Sequence, residues 1–333
     1  MALPKVLLVS LGGTITMTRS ESGGIVPTLS AADLVAAVPG IEAVAAIEAL
    51  SPLRKPGPSL VLDDLVAVAA LLRERLAGDV DGAVVIQGTD TIEETAFVLD
   101  ALIGGDEPVV VTGAMRGPQA AGADGPANLL AATTVAASTA ARRRGVLVVL
   151  NDEIHAARLV QKAHTALPSA FRSPLGGPIG LVIEGEACFH ARTPRLPALA
   201  GLPSGPGRAV ALVTAGLDDD GRLLAALPGL GFSGAVVAGM GVGHLPAAFA
   251  PVVSDLVEAM PIVLASRVET GPVFARTYGF PGSEIDVLTR GALSAGTLSA
   301  LKARLLLMLL LRTEENREAI EREFRLRAVG PPA

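Results

Sequence analysis

Cysteine is almost absent from this 333-residue chain. Cys188 is the only one, so no intramolecular disulfide framework can form. That fits a reducing compartment, and a cytoplasmic location is expected. Histidine is scarce as well. His155, His164, His190 and His244 show no metal-ligand spacing, and neither a metal nor a cofactor is expected. Basic residues do not dominate: 27 Lys and Arg face 33 Asp and Glu, for a formal net charge of −6. There is no basic stripe for nucleic acid and no polybasic cluster for an anionic membrane. Long apolar runs are missing. Residues 305–311 fall far short of the roughly 20 that span a bilayer. The run Val6-Leu7-Leu8-Val9 is too short for a signal peptide and serves better as a first strand. No internal repeat occurs at solenoid spacing. Gly239-Met240-Gly241-Val242-Gly243 lacks the full spacing and acidic partner of a nucleotide loop. Chemistry on a small molecule remains.

Half the residues are apolar, enough for two cores in a chain of this length. Short β-rich apolar runs at 6–10, 83–87, 109–112, 146–150 and 181–184 alternate with helical patterns near 63–76, 91–102 and 127–141. Continuous apolar strands separated by helices predict an α/β fold with a parallel sheet covered on both faces. A smaller block repeats the pattern, with strands at 209–214, 235–238 and 262–265 and helices near 247–259 and 298–311. Between them lies a stretch rich in Pro, Gly and Ala. The expected division is an N-terminal catalytic domain at 1–191, a linker at 192–208 and a C-terminal α/β domain at 209–333. The tail at 314–327 reads as a charged amphipathic helix with a solvated outer face.

Ligands of open α/β sheets bind beyond the carboxyl ends of the strands, and polar clusters sit there. Leu11-Gly12-Gly13-Thr14-Ile15 follows the first strand. Its glycines allow a sharp turn that presents a threonine hydroxyl at the sheet edge. Alone, it also reads as an ordinary turn capped by threonine. Gln87-Gly88-Thr89-Asp90-Thr91 follows another strand. Thr91 with Glu94 makes a capping box, which leaves Thr89 and Asp90 without a structural task. Lys162, in Val160-Gln161-Lys162-Ala163, is an ordinary solvated lysine unless the fold brings it to the other two clusters.

Together these clusters resemble the bacterial-type L-asparaginase family. The resemblance rests on Gly12-Gly13-Thr14-Ile15, on Gly88-Thr89-Asp90-Thr91 with Glu93-Glu94-Thr95-Ala96, and on Thr112-Gly113-Ala114-Met115-Arg116. It continues through Ala123-Asp124-Gly125-Pro126, Asn128-Leu129, Asn151-Asp152, the surroundings of Lys162, Ser173-Pro174-Leu175-Gly176 and Ala295-Gly296-Thr297-Leu298. It implies that Thr14 attacks an amide carbon to form an acyl-enzyme, with Thr89, Lys162 and Asp90 as a hydroxyl–amine–carboxylate relay. It further implies that Ser59 holds the substrate α-carboxylate and Asp90 its α-ammonium. Read alone, Ser59 caps the helix after it. Backbone N–H groups near Thr89 and Ala114 are candidates for the oxyanion hole. The implied assembly is a homodimer or homotetramer acting on an amino-acid amide.

The chain departs from that pattern in four places. Gly24 or Ile25 stands where the family carries a loop tyrosine, and the one tyrosine here is Tyr278. Leu60 replaces a glutamine, Gln87 a histidine and His244 an asparagine. Three functions therefore stay open: hydrolysis of L-asparagine, an amidase preferring glutamine or D-asparagine, and a weakly catalytic amino-acid sensor. A pure binder has no need of Thr14, Thr89, Asp90 and Lys162 together.

Overall fold

The computed structural model describes residues 2–19, 25–27, 29–313 and 316–328. They form two compact units, residues 1–200 and 201–333, a division that falls within the stretch read as a linker.

The strands of the first unit are β1 (Lys5–Ser10), β2 (Met17–Arg19), β3 (Ile25–Pro27), β4 (Ala46–Leu50), β5 (Gly82–Ile86), β6 (Val109–Thr112), β7 (Val146–Leu150), β8 (Glu153–Ala156), β9 (Gln161–Lys162), β10 (Phe171–Arg172), β11 (Gly180–Ile183) and β12 (Glu186–Phe189). Its helices are α1 (Ala31–Ala36), α2 (Ile41–Val44), α3 (Leu62–Leu76), α4 (Ile92–Leu102) and α5 (Gly125–Ala137). Eight strands make one sheet in the order β12-β11-β8-β7-β6-β5-β1-β4. The five from β7 to β4 run parallel. Every residue of β5, β6 and β7 is buried, because helices cover both faces of a parallel sheet. Val84, Ile86, Val110, Leu147 and Val149 pack into a core shared with Leu129, Ala132 and Val135 of α5.

The sheet is not parallel throughout. β8, β11 and β12 are antiparallel to their neighbours, so the strand predicted near 181–184 keeps the direction of the parallel block but joins the sheet between antiparallel neighbours. Asn151 and Asp152 both take positive φ, 53° and 59°. That is the geometry of a tight hairpin turn, which sends β8 straight back along β7 and leaves no room for a crossover helix.

The second unit holds a four-stranded parallel sheet of β13 (Val210–Thr214), β14 (Gly234–Gly239), β15 (Ile262–Ser266) and β16 (Leu293–Ser294) in that order. Its helices are α6 (Arg222–Ala226), α7 (Phe249–Val257), α8 (Glu284–Thr289), α9 (Ala300–Arg312) and α10 (Arg317–Arg327). Leu305, Leu306, Leu307, Leu309 and Leu310 of α9 are all buried. The tail helix α10 is amphipathic but not merely solvated: Ala319, Ile320 and Phe324 are buried.

Candidate active site

In the first unit the chain leaves β1 on one side to form β4 and returns on the other as β5. Such a reversal opens a crevice at the strands' carboxyl ends. Gly13, with φ +91°, occupies it so tightly that a Cβ there would stand 1.9 Å from the Gly88 amide nitrogen. No other residue fits. Gly57, opening the short turn Gly57–Ser59, also packs against Gly88, its Cβ position lying 3.2 Å from the Gly88 carbonyl. The turns after β1 and β5 and the turn at 57–59 therefore converge on one point. The turn after β6 joins them, since a Cβ on Gly113 would lie 2.5 Å from the Gln87 carbonyl and 3.4 Å from Cγ2 of Thr89.

Thr89 and Asp90 of one predicted cluster meet Lys162 of another here. Nζ of Lys162 donates to Oγ1 of Thr89 at 3.0 Å and to Oδ1 of Asp90 at 2.6 Å. Charge-assisted bonds are short and strong. Thr89 is 6% exposed, and the side chains of Lys162 and Asp90 are 16% and 61% exposed. The amine is thus largely withdrawn from water while the carboxylate faces it. Lys162 reaches the site from a two-stranded ribbon in which it pairs with Phe171. Oε1 of Glu93, in the first turn of α4, accepts from the Lys162 amide at 3.4 Å.

Other predicted residues are placed less directly. Thr14 opens the turn Thr14–Thr16 next to Gly13, and Thr16 closes that turn with its N–H and hydroxyl on the Gly13 carbonyl at 2.9 and 2.8 Å. Residues 20–24, which include Gly24 of the loop where the family carries its tyrosine, lie outside the described residues. Ser59 is exposed in the turn packed against Gly88. It does not cap α3, whose N-cap is Val61. Ala114 is buried just beyond β6. The capping box of Thr91 with Glu94 does not form: Thr91 makes no side-chain cap bond. Its hydroxyl donates instead to the Gly57 carbonyl at 3.3 Å and accepts from Nε2 of Gln87 at 3.1 Å. It staples two turns of the site together, a tertiary demand that local spacing does not reveal.

Asn128 and Asp124 had motif matches but no assigned role. Nδ2 of Asn128 donates to the Gly113 carbonyl at 2.9 Å and to Asp124 at 3.1 Å, while its Oδ1 accepts from the Asn151 amide at 2.9 Å. Asp124 also accepts from the amides of Met115 and Arg116 at 3.0 and 2.8 Å. Together they fix the loop that carries Ala114. Among the described residues no group of three or more His, Cys, Asp or Glu is placed to hold a metal, and no helix is long and apolar enough to cross a membrane. A groove of about 450 Å³ on the second unit is lined by Leu212, Leu223, Leu230 and Phe232 with Arg304 as its one ionisable group. It offers nothing for acid–base or nucleophilic chemistry.

The family described as Asparaginase, N-terminal, matches residues 5–195, and the Glutaminase/Asparaginase C-terminal domain matches residues 209–324. A probable L-asparaginase of Deinococcus radiodurans is 36% identical, over 97% of this chain and 98% of its own length. L-asparaginase 2 of Escherichia coli K12 is 32% identical, over 97% and 93%. Among solved structures, a probable cytoplasmic L-asparaginase from Campylobacter jejuni superposes with a TM-score of 0.85 at 31% identity. That match covers 97% of this chain and 99% of the other.

Proposed function

The chain belongs to the asparaginase family, matching it in both domains, and from that premise we propose that it converts L-asparagine to L-aspartate and ammonia through an acyl-enzyme on Thr14. The observation that carries the reading is Lys162 Nζ in contact with both Thr89 Oγ1 and Asp90 Oδ1. A threonine hydroxyl is a weak nucleophile until a base takes its proton, and the Thr89–Lys162 pair supplies the proton path. The Thr14 oxygen bonds to the side-chain amide carbon and its proton passes into that relay. The carbon–nitrogen bond then breaks, the nitrogen takes up a proton, and ammonia departs. An ester on Thr14 remains. Water attacks the ester, releases aspartate and restores the hydroxyl.

Asp90 holds Lys162 and, exposed as it is, presents its carboxylate to the substrate α-ammonium. Ser59 binds the α-carboxylate, and backbone N–H groups near Thr89 and Ala114 face the oxyanion that develops on the amide oxygen. No metal or cofactor enters the scheme. We read the protein as a cytoplasmic homodimer or homotetramer. Its single cysteine and its likeness to a Campylobacter protein named as cytoplasmic support the compartment.

The test is ammonia release from L-asparagine, L-glutamine and D-asparagine, each against buffer. Turnover highest with L-asparagine is expected. Preference for another amide would change the substrate, and binding without turnover would overturn the reading.

A further inference from the structure

We propose that Ser173 and His155 are positioning residues for Lys162, their buried hydrogen bond fastening the lysine's ribbon to the central sheet. The inference rests on the catalytic reading of Lys162 given above. The ribbon β9–β10 pairs Lys162 with Phe171 and Gln161 with Arg172, and the Ala163 amide on the Ala170 carbonyl at 2.7 Å extends it by one step. A two-stranded ribbon this short does not hold its own shape in water, so something else must fix it. Ser173 is the next residue after β10, and its Oγ lies 3.0 Å from Nδ1 of His155. His155 sits on β8, paired through His155↔Val148 with β7 in the eight-stranded sheet. Ser173 is 4% exposed and His155 1%. The Ser173 carbonyl also accepts from the amides of Gly176 and Gly177 at 3.2 and 2.8 Å, which fixes the turn that follows the contact.

The protonation state fits an anchor. Burial pushes the His155 pKa down to about 4, so the ring is neutral at pH 7. With the proton assigned to Nε2, on the side of the Glu153 carboxylate, Nδ1 accepts the Ser173 hydroxyl proton. Nε2 approaches Oε2 of Glu153 at 3.3 Å. The alignment is too poor for a hydrogen bond, and beside a neutral ring the contact is not an ion pair. Serine, histidine and glutamate in a row suggest a nucleophilic triad. This serine is sealed from substrate, and its bond does structural work at a distance.

Lys162 needs its amine within hydrogen-bond reach of Thr89, and a displacement of about 1 Å at an active site costs up to about 100-fold in rate. In Ser173→Ala, kcat with asparagine should therefore fall about tenfold or more while KM changes little, and the melting temperature should drop as well because the buried Nδ1 of His155 loses its partner. Ser173→Thr, which keeps the hydroxyl, should recover most of the lost kcat. Independently of activity, nitrogen NMR of the His155 ring should report the neutral Nε2–H tautomer at pH 7 in the wild type and a shifted Nδ1 resonance in Ser173→Ala. Wild-type kcat in Ser173→Ala, or equal losses in the alanine and threonine variants, would overturn the inference. Lys162→Met separates the two levels. If it stays active, the catalytic reading fails. If it is inactive while Ser173→Ala keeps full kcat, that reading stands and the positioning role falls.

Discussion

At the scale of single residues, the site asks each group for one property. Thr14 gives a hydroxyl, so Thr14→Ala should preserve folding and substrate binding and remove most turnover, measured as ammonia release beside the thermal melt. Thr89→Val is near-isosteric and should behave alike. Leu60 begins the chain away from the turn at 57–59, its amide on the Gly57 carbonyl at 3.1 Å. It cannot hydrogen-bond a longer substrate. One methylene is worth roughly 1–3 kcal/mol, or about 10–200-fold, so catalytic efficiency should favour asparagine over glutamine by that order. Leu60→Gln should narrow the ratio, and an unchanged ratio would clear the residue. His155 gives a pH dependence. Its folded pKa of about 4 lies below the ordinary 6.5, so between those values the unfolded chain binds more protons and stability rises with pH. Acidifying from 7 to 4 should cost about 3 kcal/mol from this group, and His155→Gln should flatten that part of the curve in urea melts. Thr89, Asp90 and Lys162 were singled out through the family resemblance, since Lys162 alone reads as an ordinary solvated lysine. The His155–Ser173 contact was not legible, since its partners stand 18 residues apart and Ser173, though within a matched motif, carried no role that pointed to His155.

At the scale of elements, the glycine turn decides whether the site exists. Gly13→Ala puts a Cβ into the Gly88 amide at a φ of +91°. It should cost more than about 1 kcal/mol of stability and abolish activity, seen in melts and assay together. Asn128→Ala strands the Gly113 carbonyl and the Asn151 amide, at roughly 1–3 kcal/mol. The continuous apolar strands β1, β5, β6 and β7 stood out in the sequence because burial on both faces forces such runs. β4 and β12 did not. β4 is only partly buried along its length and β12 alternates exposed with half-buried residues, so neither prints an apolar run. The reversal into β8 depends on positive φ at Asn151 and Asp152, a backbone choice that apolar patterning does not encode.

At the scale of the whole molecule, the chain is two α/β units, and the chemistry proposed here belongs to the first. The expected assembly, a homodimer or homotetramer, is read by light scattering as a mass of two or four times 33.7 kDa, and a monomer at working concentration would contradict it. The central claim is that the Lys162 amine, held by Thr89 and Asp90, moves the proton that makes Thr14 reactive. Lys162→Met keeps the apolar stem and removes only the amine. Its steady-state ammonia release from L-asparagine, beside that of the wild type at equal folded concentration, tests the claim most directly. The account predicts loss of nearly all turnover with the fold retained; a folded Lys162→Met enzyme turning over at the wild-type rate would contradict it.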